Sequence, residues 1–171
     1  WNKYFVDGGK KETESYRTLP AHTKDGPRES RELQIISNFV EIFLAREGHS
    51  NPVGINYLEK IQTPHLASAY GAMLAGVGYV LMGAGIPMRM PGALDRLAVH
   101  ETATYPLYVA GASADDDTTM VFDPREYMEC DLPPLDRPFF FPIIASNTLA
   151  VTMARKANGR VDGFVIEGPT A

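Results

Sequence analysis

Three short runs carry residues able to do chemistry at the rim of a parallel sheet. Asn56 closes the run Pro52-Val53-Gly54-Ile55-Asn56. A side-chain amide there both donates and accepts, which suits the edge of a planar ring such as a flavin or a nicotinamide; it suits the capping of a turn equally well. Gly83-Ala84-Gly85 follows Tyr79-Val80-Leu81-Met82. Two glycines let a backbone come close to a ligand, or simply make a tight turn with positive φ. Ile86-Pro87 comes next, so the run lacks the third glycine and the immediate helix of a dinucleotide fingerprint. Glu167-Gly168-Pro169 turns out of the apolar run 161–166. A carboxylate delivered at the carboxyl end of a strand can hold a ribose or ribityl hydroxyl, act as a base, or stay solvated.

The remaining reactive side chains read more plainly. His22, His49, His65 and His100 are scattered without metal-ligand spacing, and none reads as catalytic. Asp115-Asp116-Asp117 resembles a cation cluster but fits solvated acids in a hairpin turn. Met82, Met88 and Met90 fit core and loop packing. Cys130 is the single cysteine, which excludes a disulfide framework and a thiolate metal cluster. G-x-S-x-G, P-loop and C-x-x-C motifs are absent from the sequence.

The elements that must position these residues follow from hydrophobic period. Residues 1–29, with Gly8-Gly9, Lys10-Lys11, Pro20 and Pro27, read as an irregular connecting segment. Ser30 is placed to cap a helix whose stripe is Leu33, Ile36, Phe39, Val40, Phe43 and Leu44, with Gly48 at its stop. Strand and helix then alternate. Residues 52–56 form a strand, and Thr63-Pro64 opens a helix buried along Leu66, Ala69, Tyr70, Met73 and Leu74. Residues 79–82 form a second strand, and Pro91 starts a helix through Leu94 and Leu97. Residues 141–145 form a third strand, and Asn147 is placed to cap a helix ending near Gly159. Residues 161–166 form a fourth strand. Residues 104–123 break the rhythm as an inserted β-hairpin around Ser113 to Asp117. Continuously apolar strands separated by amphipathic helices predict an α/β fold with a helix-covered parallel sheet. Period alone leaves open half of a (β/α)₈ barrel or most of a doubly wound sheet.

Bulk properties narrow the partners. The 171 residues suffice for one domain with a sizeable core. A net charge of -5 argues against nucleic-acid or anionic-membrane partners, both of which call for a basic face. No apolar run is long enough to span a bilayer. A reducing, cytoplasmic setting is expected. A start at Trp1 and an end directly after the 161–166 strand give the expectation of an internal piece of a longer enzyme.

Two stretches carry a family resemblance. One is PVGINYLEKIQTPHLASAYGAMLAGVGYVLMGAGIP at 52–87 with PGALDRLA at 91–98; the other is ASNTLAVTMARKANGRVDGFVIEGPTA at 145–171. Together they resemble the nitronate monooxygenases, formerly 2-nitropropane dioxygenases, which are FMN-dependent TIM-barrel enzymes related to FMN-containing enoyl-acyl-carrier-protein reductases. The resemblance covers most of residues 30–171. It implies part of a (β/α)₈ barrel, FMN as cofactor, and oxidation of a small alkyl nitronate with molecular oxygen. It also implies flavin contacts from Asn56, the Gly83, Ala84 and Gly85 turn, Ser146 and Glu167. In the family EGPTA continues into Gly-Gly-His, whose histidine is the proposed base. This chain ends at Ala171, so these residues alone carry no expected catalytic residue and are expected to be inactive. The alternatives that the resemblance leaves are an NAD(P)H-dependent enoyl thioester reductase on the same scaffold and a non-catalytic barrel module of a larger synthase.

Overall fold

Strand-forming runs and amphipathic segments alternate along the chain, and the strands of the main sheet lie side by side in chain order. The computed structural model describes residues 3–4, 9–16 and 18–168. The described residues before Arg28 form turns and irregular backbone, and Gly8 lies outside the described residues.

Helix α1 spans Arg28–Ala45 with Pro27 at its N-cap, earlier than the Ser30 cap expected from sequence. Ser30 is instead buried in the first turn, its Oγ 2.6 Å from His22 Nδ1. A hydroxyl engaged with a neighbouring segment is lost to capping. The buried stripe also differs from expectation, because Ile35 and Ile42 are enclosed while Phe43 and Leu44 are about half exposed, at 52% and 55%. The contact that turns the helix this way is backbone to backbone and involves Gly71, as described below.

Strand β1 (Gly54–Leu58), helix α2 (His65–Leu74), strand β2 (Tyr79–Gly83) and helix α3 (Met90–Ala98) follow. Strands β3 (Ala103–Pro106) and β4 (Thr119–Phe122) pair antiparallel as a separate two-stranded hairpin. A 3₁₀ turn at Pro124–Tyr127, strand β5 (Phe139–Ile144), helix α4 (Asn147–Lys156) and strand β6 (Val165–Ile166) complete the order. The main sheet has four strands in the order β1-β2-β5-β6, each parallel to its neighbour. The protein is therefore α/β, with a parallel sheet whose spatial order follows chain order. Leu66, Tyr70 and Met73 of α2 and Leu94 and Leu97 of α3 are buried in its core.

Helix α2 is enclosed on nearly every side, from His65 through Met73. Thr63 does not cap it; Pro64 occupies the N-cap and no side chain caps the helix. At its centre Gly71 meets α1 so closely that a Cβ would lie 2.8 Å from both Cα and the carbonyl carbon of Ile35.

Parallel register sorts the sheet into two faces. Ile55, Val80 and Phe140 share one rung, and Tyr57, Met82 and Pro142 share another, all pointing to the helix-covered side. Asn56, Leu81 and Phe141 occupy the intervening rung on the opposite, open side. There Leu58 and Phe139 keep 42% and 48% of their surface in contact with solvent.

Three strand expectations need correction. β1 runs on to Leu58, so Asn56 sits mid-strand rather than at its end. The hairpin strand expected through Ala112 stops at Pro106; one further bond, from Leu107 N to Thr118 O at 2.7 Å, follows before the backbone becomes irregular. Residues 161–164 run beside β5 without forming regular strand. The reason is a side chain: Phe140 N donates to Asp162 Oδ2 at 2.8 Å, while Asp162 N donates to Phe140 O at 3.0 Å. One rung of the ladder is thus closed by a carboxylate, and backbone pairing resumes only at Val165.

Asp162 also joins a network at the amino ends of β5 and β6. Arg137 donates from Nη1 to Asp162 Oδ2 at 2.5 Å, from Nε to Asp95 Oδ1 at 2.9 Å, and from Nη2 to the Arg160 carbonyl at 2.6 Å. One guanidinium thereby ties the entry to β5, helix α3 and the segment entering β6.

Candidate functional site

The carboxyl edge of the parallel sheet gathers most of the residues singled out from sequence. β2 delivers Gly83, whose rung partner is Leu58, into the turn Gly83-Ala84-Gly85. In that turn the left-handed conformation belongs to Ala84, with φ 55°, rather than to a glycine. At Gly83 the matter is space, since a Cβ there would lie 3.1 Å from Ile143 Cδ1 and that side chain would have to give.

Ser146 follows β5 and accepts a hydrogen bond from Leu149 N at 3.3 Å. It is therefore the N-cap of α4, a role expected of Asn147; the extended backbone of Ser146 points its Oγ back at the helix, while Asn147 is already inside it. Glu167 is exposed and its backbone N donates to Ile144 O at 2.8 Å, which sets it beside the end of β5. Pro169 lies outside the described residues. Asn56 is exposed on the open face, about 7 Å before the strand ends at the usual rise per residue. Gly83 to Gly85, Ser146 and Glu167 thus share one edge, and Asn56 stands apart on the floor leading to it.

A second arrangement at the same edge escaped the sequence reading. Glu59, the first residue after β1, is 7% exposed, and its backbone N donates to Gly83 O at 2.8 Å. Its carboxylate lies against Gly85, where a Cβ would come within 2.8 Å of Glu59 Cβ. Tyr105, buried on β3, donates its hydroxyl to Glu59 Oε1 at 3.4 Å. Burial pushes the Tyr105 phenol up from its ordinary value, and the Glu59 carboxylate pushes it further, so Tyr105 stays a donor at neutral pH. No described lysine, arginine or histidine pairs with Glu59 within 4.0 Å. The carboxylate faces a cavity of about 420 Å³ lined also by Ile86, Met88, Arg89, Tyr108 and Lys156. The available signal was modest: an acid immediately behind an apolar strand, in an α/β pattern that builds sites there.

His65 packs edge-on to Tyr105, with ring centroids 5.0 Å apart. Its Nε2 is 3.0 Å from the Leu58 carbonyl, which only accepts, so the proton is on Nε2. Nδ1 is then a buried acceptor with no partner among the described residues. Burial lowers the His65 pKa from its usual 6.5, the Leu58 bond opposing it only in part. The folded protein therefore refuses a proton that the unfolded chain accepts below about pH 6.5. Stability is expected to fall as pH drops from 7.5 to 5.5, and His65→Gln to remove that share of the slope. Urea unfolding of both proteins at the two pH values measures it.

His100 is used structurally. Its Nδ1 accepts from the Tyr70 hydroxyl at 2.9 Å and its Nε2 donates to the Pro133 carbonyl at 2.9 Å, despite a strained φ of 57°. The acids of the hairpin loop are exposed, with Asp117 paired to Lys24 at 2.5 Å and Asp116 accepting from Ser113.

Comparison with protein families, with curated proteins and with solved structures finds no significant match. No helix among the described residues is long and apolar enough to cross a membrane.

Proposed function

We propose that the protein is an FMN-dependent oxidoreductase of the nitronate monooxygenase type, built on a (β/α)₈ barrel to which these strands contribute. The reading rests on the family resemblance. Its main structural support is the open rung Asn56, Leu81, Phe141, which runs toward an edge holding Gly83 to Gly85, Ser146 and Glu167. A sheet whose strands follow one another in chain order is also what a barrel segment requires, whereas a doubly wound sheet reverses order at its midpoint.

The residues fit a flavin ring. Leu81, Phe141 and Ile143 offer an apolar floor, and Gly83 keeps a further side chain out of it. Asn56 supplies a donor and an acceptor in one amide, suited to a ring edge that carries both. Ser146 is tied to Leu149 N through a lone pair, leaving its hydroxyl proton free to donate. Glu167 would accept from ribityl hydroxyls. None of these residues is cationic, so the cofactor phosphate falls to other groups.

FMN, when bound, supplies the two-electron chemistry between an alkyl nitronate and oxygen. The chain's own part is to bind and orient: the apolar floor excludes water, Asn56 fixes the rotation of a ring, and the rim sets its depth. The test is the visible absorption spectrum of the full-length protein, alone and after adding FMN. A bound oxidised-flavin spectrum is expected. A protein that stays colourless after FMN is added and gel filtration would overturn the reading.

A further inference from the structure

We propose that the Glu59 cavity is a binding site for a phosphorylated ribose, that of a nucleotide, separate from the sheet face assigned to the flavin. Its lining includes neither Asn56, Ser146 nor Glu167, and it meets the flavin rim only where the Glu59 carboxylate lies against Gly85.

The unpartnered acid comes first. A buried carboxylate needs strong donors, and the Tyr105 hydroxyl at 3.4 Å is a long bond to only one of its oxygens. The other oxygen, Oε2, lies against Gly85 and takes no hydrogen bond from a described residue. Two adjacent hydroxyls of a ribose donate to two oxygens of one carboxylate, a match of number and spacing that a single amine does not make.

Charge decides the other end of the ligand. One acid, Glu59, stands against two bases, Arg89 and Lys156, so the lining carries one net positive charge. Both bases are exposed, and neither forms an ion pair with a described carboxylate. Hydroxyls for the acid and an anion for the two bases describe a sugar phosphate. A free ammonium compound would be repelled by the two cations of the lining.

The walls favour a base on that sugar. Ile86, Met88 and the ring of Tyr108 surround the cavity, and Tyr108 is 81% exposed while its backbone N is held by Gln62 Oε1 at 2.8 Å. An exposed aromatic ring on an anchored backbone is a stacking surface. A volume of about 420 Å³ falls within the range of small-molecule sites.

The experiment is isothermal titration of the protein with AMP, 2′-deoxy-AMP, ribose 5-phosphate and inorganic phosphate. AMP is expected to bind about tenfold more tightly than 2′-deoxy-AMP, the loss of roughly one good hydrogen bond to a charged group. Glu59→Gln, which keeps size and shape, should weaken AMP by a similar factor and make the two nucleotides equal. Arg89→Ala and Lys156→Ala, both at exposed positions, should weaken AMP and ribose 5-phosphate together. If ribose 5-phosphate binds as well as AMP, the phosphorylated-ribose site is supported without a base. Failure of AMP to bind at millimolar concentration, or equal binding of AMP and 2′-deoxy-AMP by the unmodified protein, overturns the proposal.

Discussion

Replacing Asp162 with alanine is expected to cost the fold about 3–5 kcal/mol, the largest single loss anticipated here. Asp162 has only 8% of its side chain exposed; it accepts from Arg137 and from the backbone N of Phe140, and it forms an ion pair with Arg160. The alanine variant removes all three interactions at once. It leaves the 12%-exposed guanidinium of Arg137 with fewer partners than its donors need, and it leaves Phe140 N without its rung. Each loss is of the uncompensated kind, in which a buried group has given up water and gains nothing in return. Arg160→Ala is the internal control. Arg160 is 61% exposed, so its share of the pair is screened and its removal should cost less than about 1 kcal/mol. For a chain of this size the Asp162 loss corresponds to a melting-point drop of roughly 10 °C. Urea titration of the two variants checks it, and equal effects would show that the network is only surface electrostatics.

The second large effect is expected from adding a single methyl group, Gly71→Ala. Alanine is the better helix former by about 1 kcal/mol, so helix propensity predicts a gain at an interior position of α2. Packing predicts the opposite. The new Cβ would lie 2.8 Å from backbone atoms of Ile35, and backbone in the middle of α1 has no rotamer with which to move aside. The two helices must separate, and overpacking of this kind costs about 1–3 kcal/mol, or more where neither side relaxes. The net expectation is a loss of about 2 kcal/mol, combining the upper packing figure with the propensity gain. Ala72 lies beside it and is also fully buried, yet Ala72→Gly should destabilise by helix propensity and a lost contact alone. Measuring both variants separates crowding from propensity, because stabilisation by Gly71→Ala would contradict the close approach of the helices.

The α/β alternation was legible in the sequence because it is local. Tyr79 to Gly83 is continuously apolar and flanked by glycines, and the structure has its strand there. Pro91 sits in the first turn of α3, where its missing N–H costs nothing, and Leu94 and Leu97 are fully buried as their spacing requires. Of the site, the turn at Gly83 to Gly85 and the sheet edge near Ser146 and Glu167 were legible for the same reason. Strands end where Gly, Ser and Asn begin, and ends of parallel strands lie together.

What the sequence could not decide depends on partners distant along the chain. Whether Ser30 or Pro27 begins α1 depends on His22 taking the serine hydroxyl. Whether 161–164 is strand depends on a carboxylate standing in for a carbonyl beside Phe140. The buried face of α1 depends on a glycine in α2 that admits Ile35. The acid at Glu59 looks like any charged residue after a strand until β3 brings Tyr105 to it from 46 positions away and Gly85 leaves space for it. Local period, composition and turn chemistry set the elements and their order, since each of these acts over a few residues. Tertiary structure alone decided which polar groups became buried together, because the energy of a buried charge is set by the whole of its surroundings and not by its neighbours in sequence.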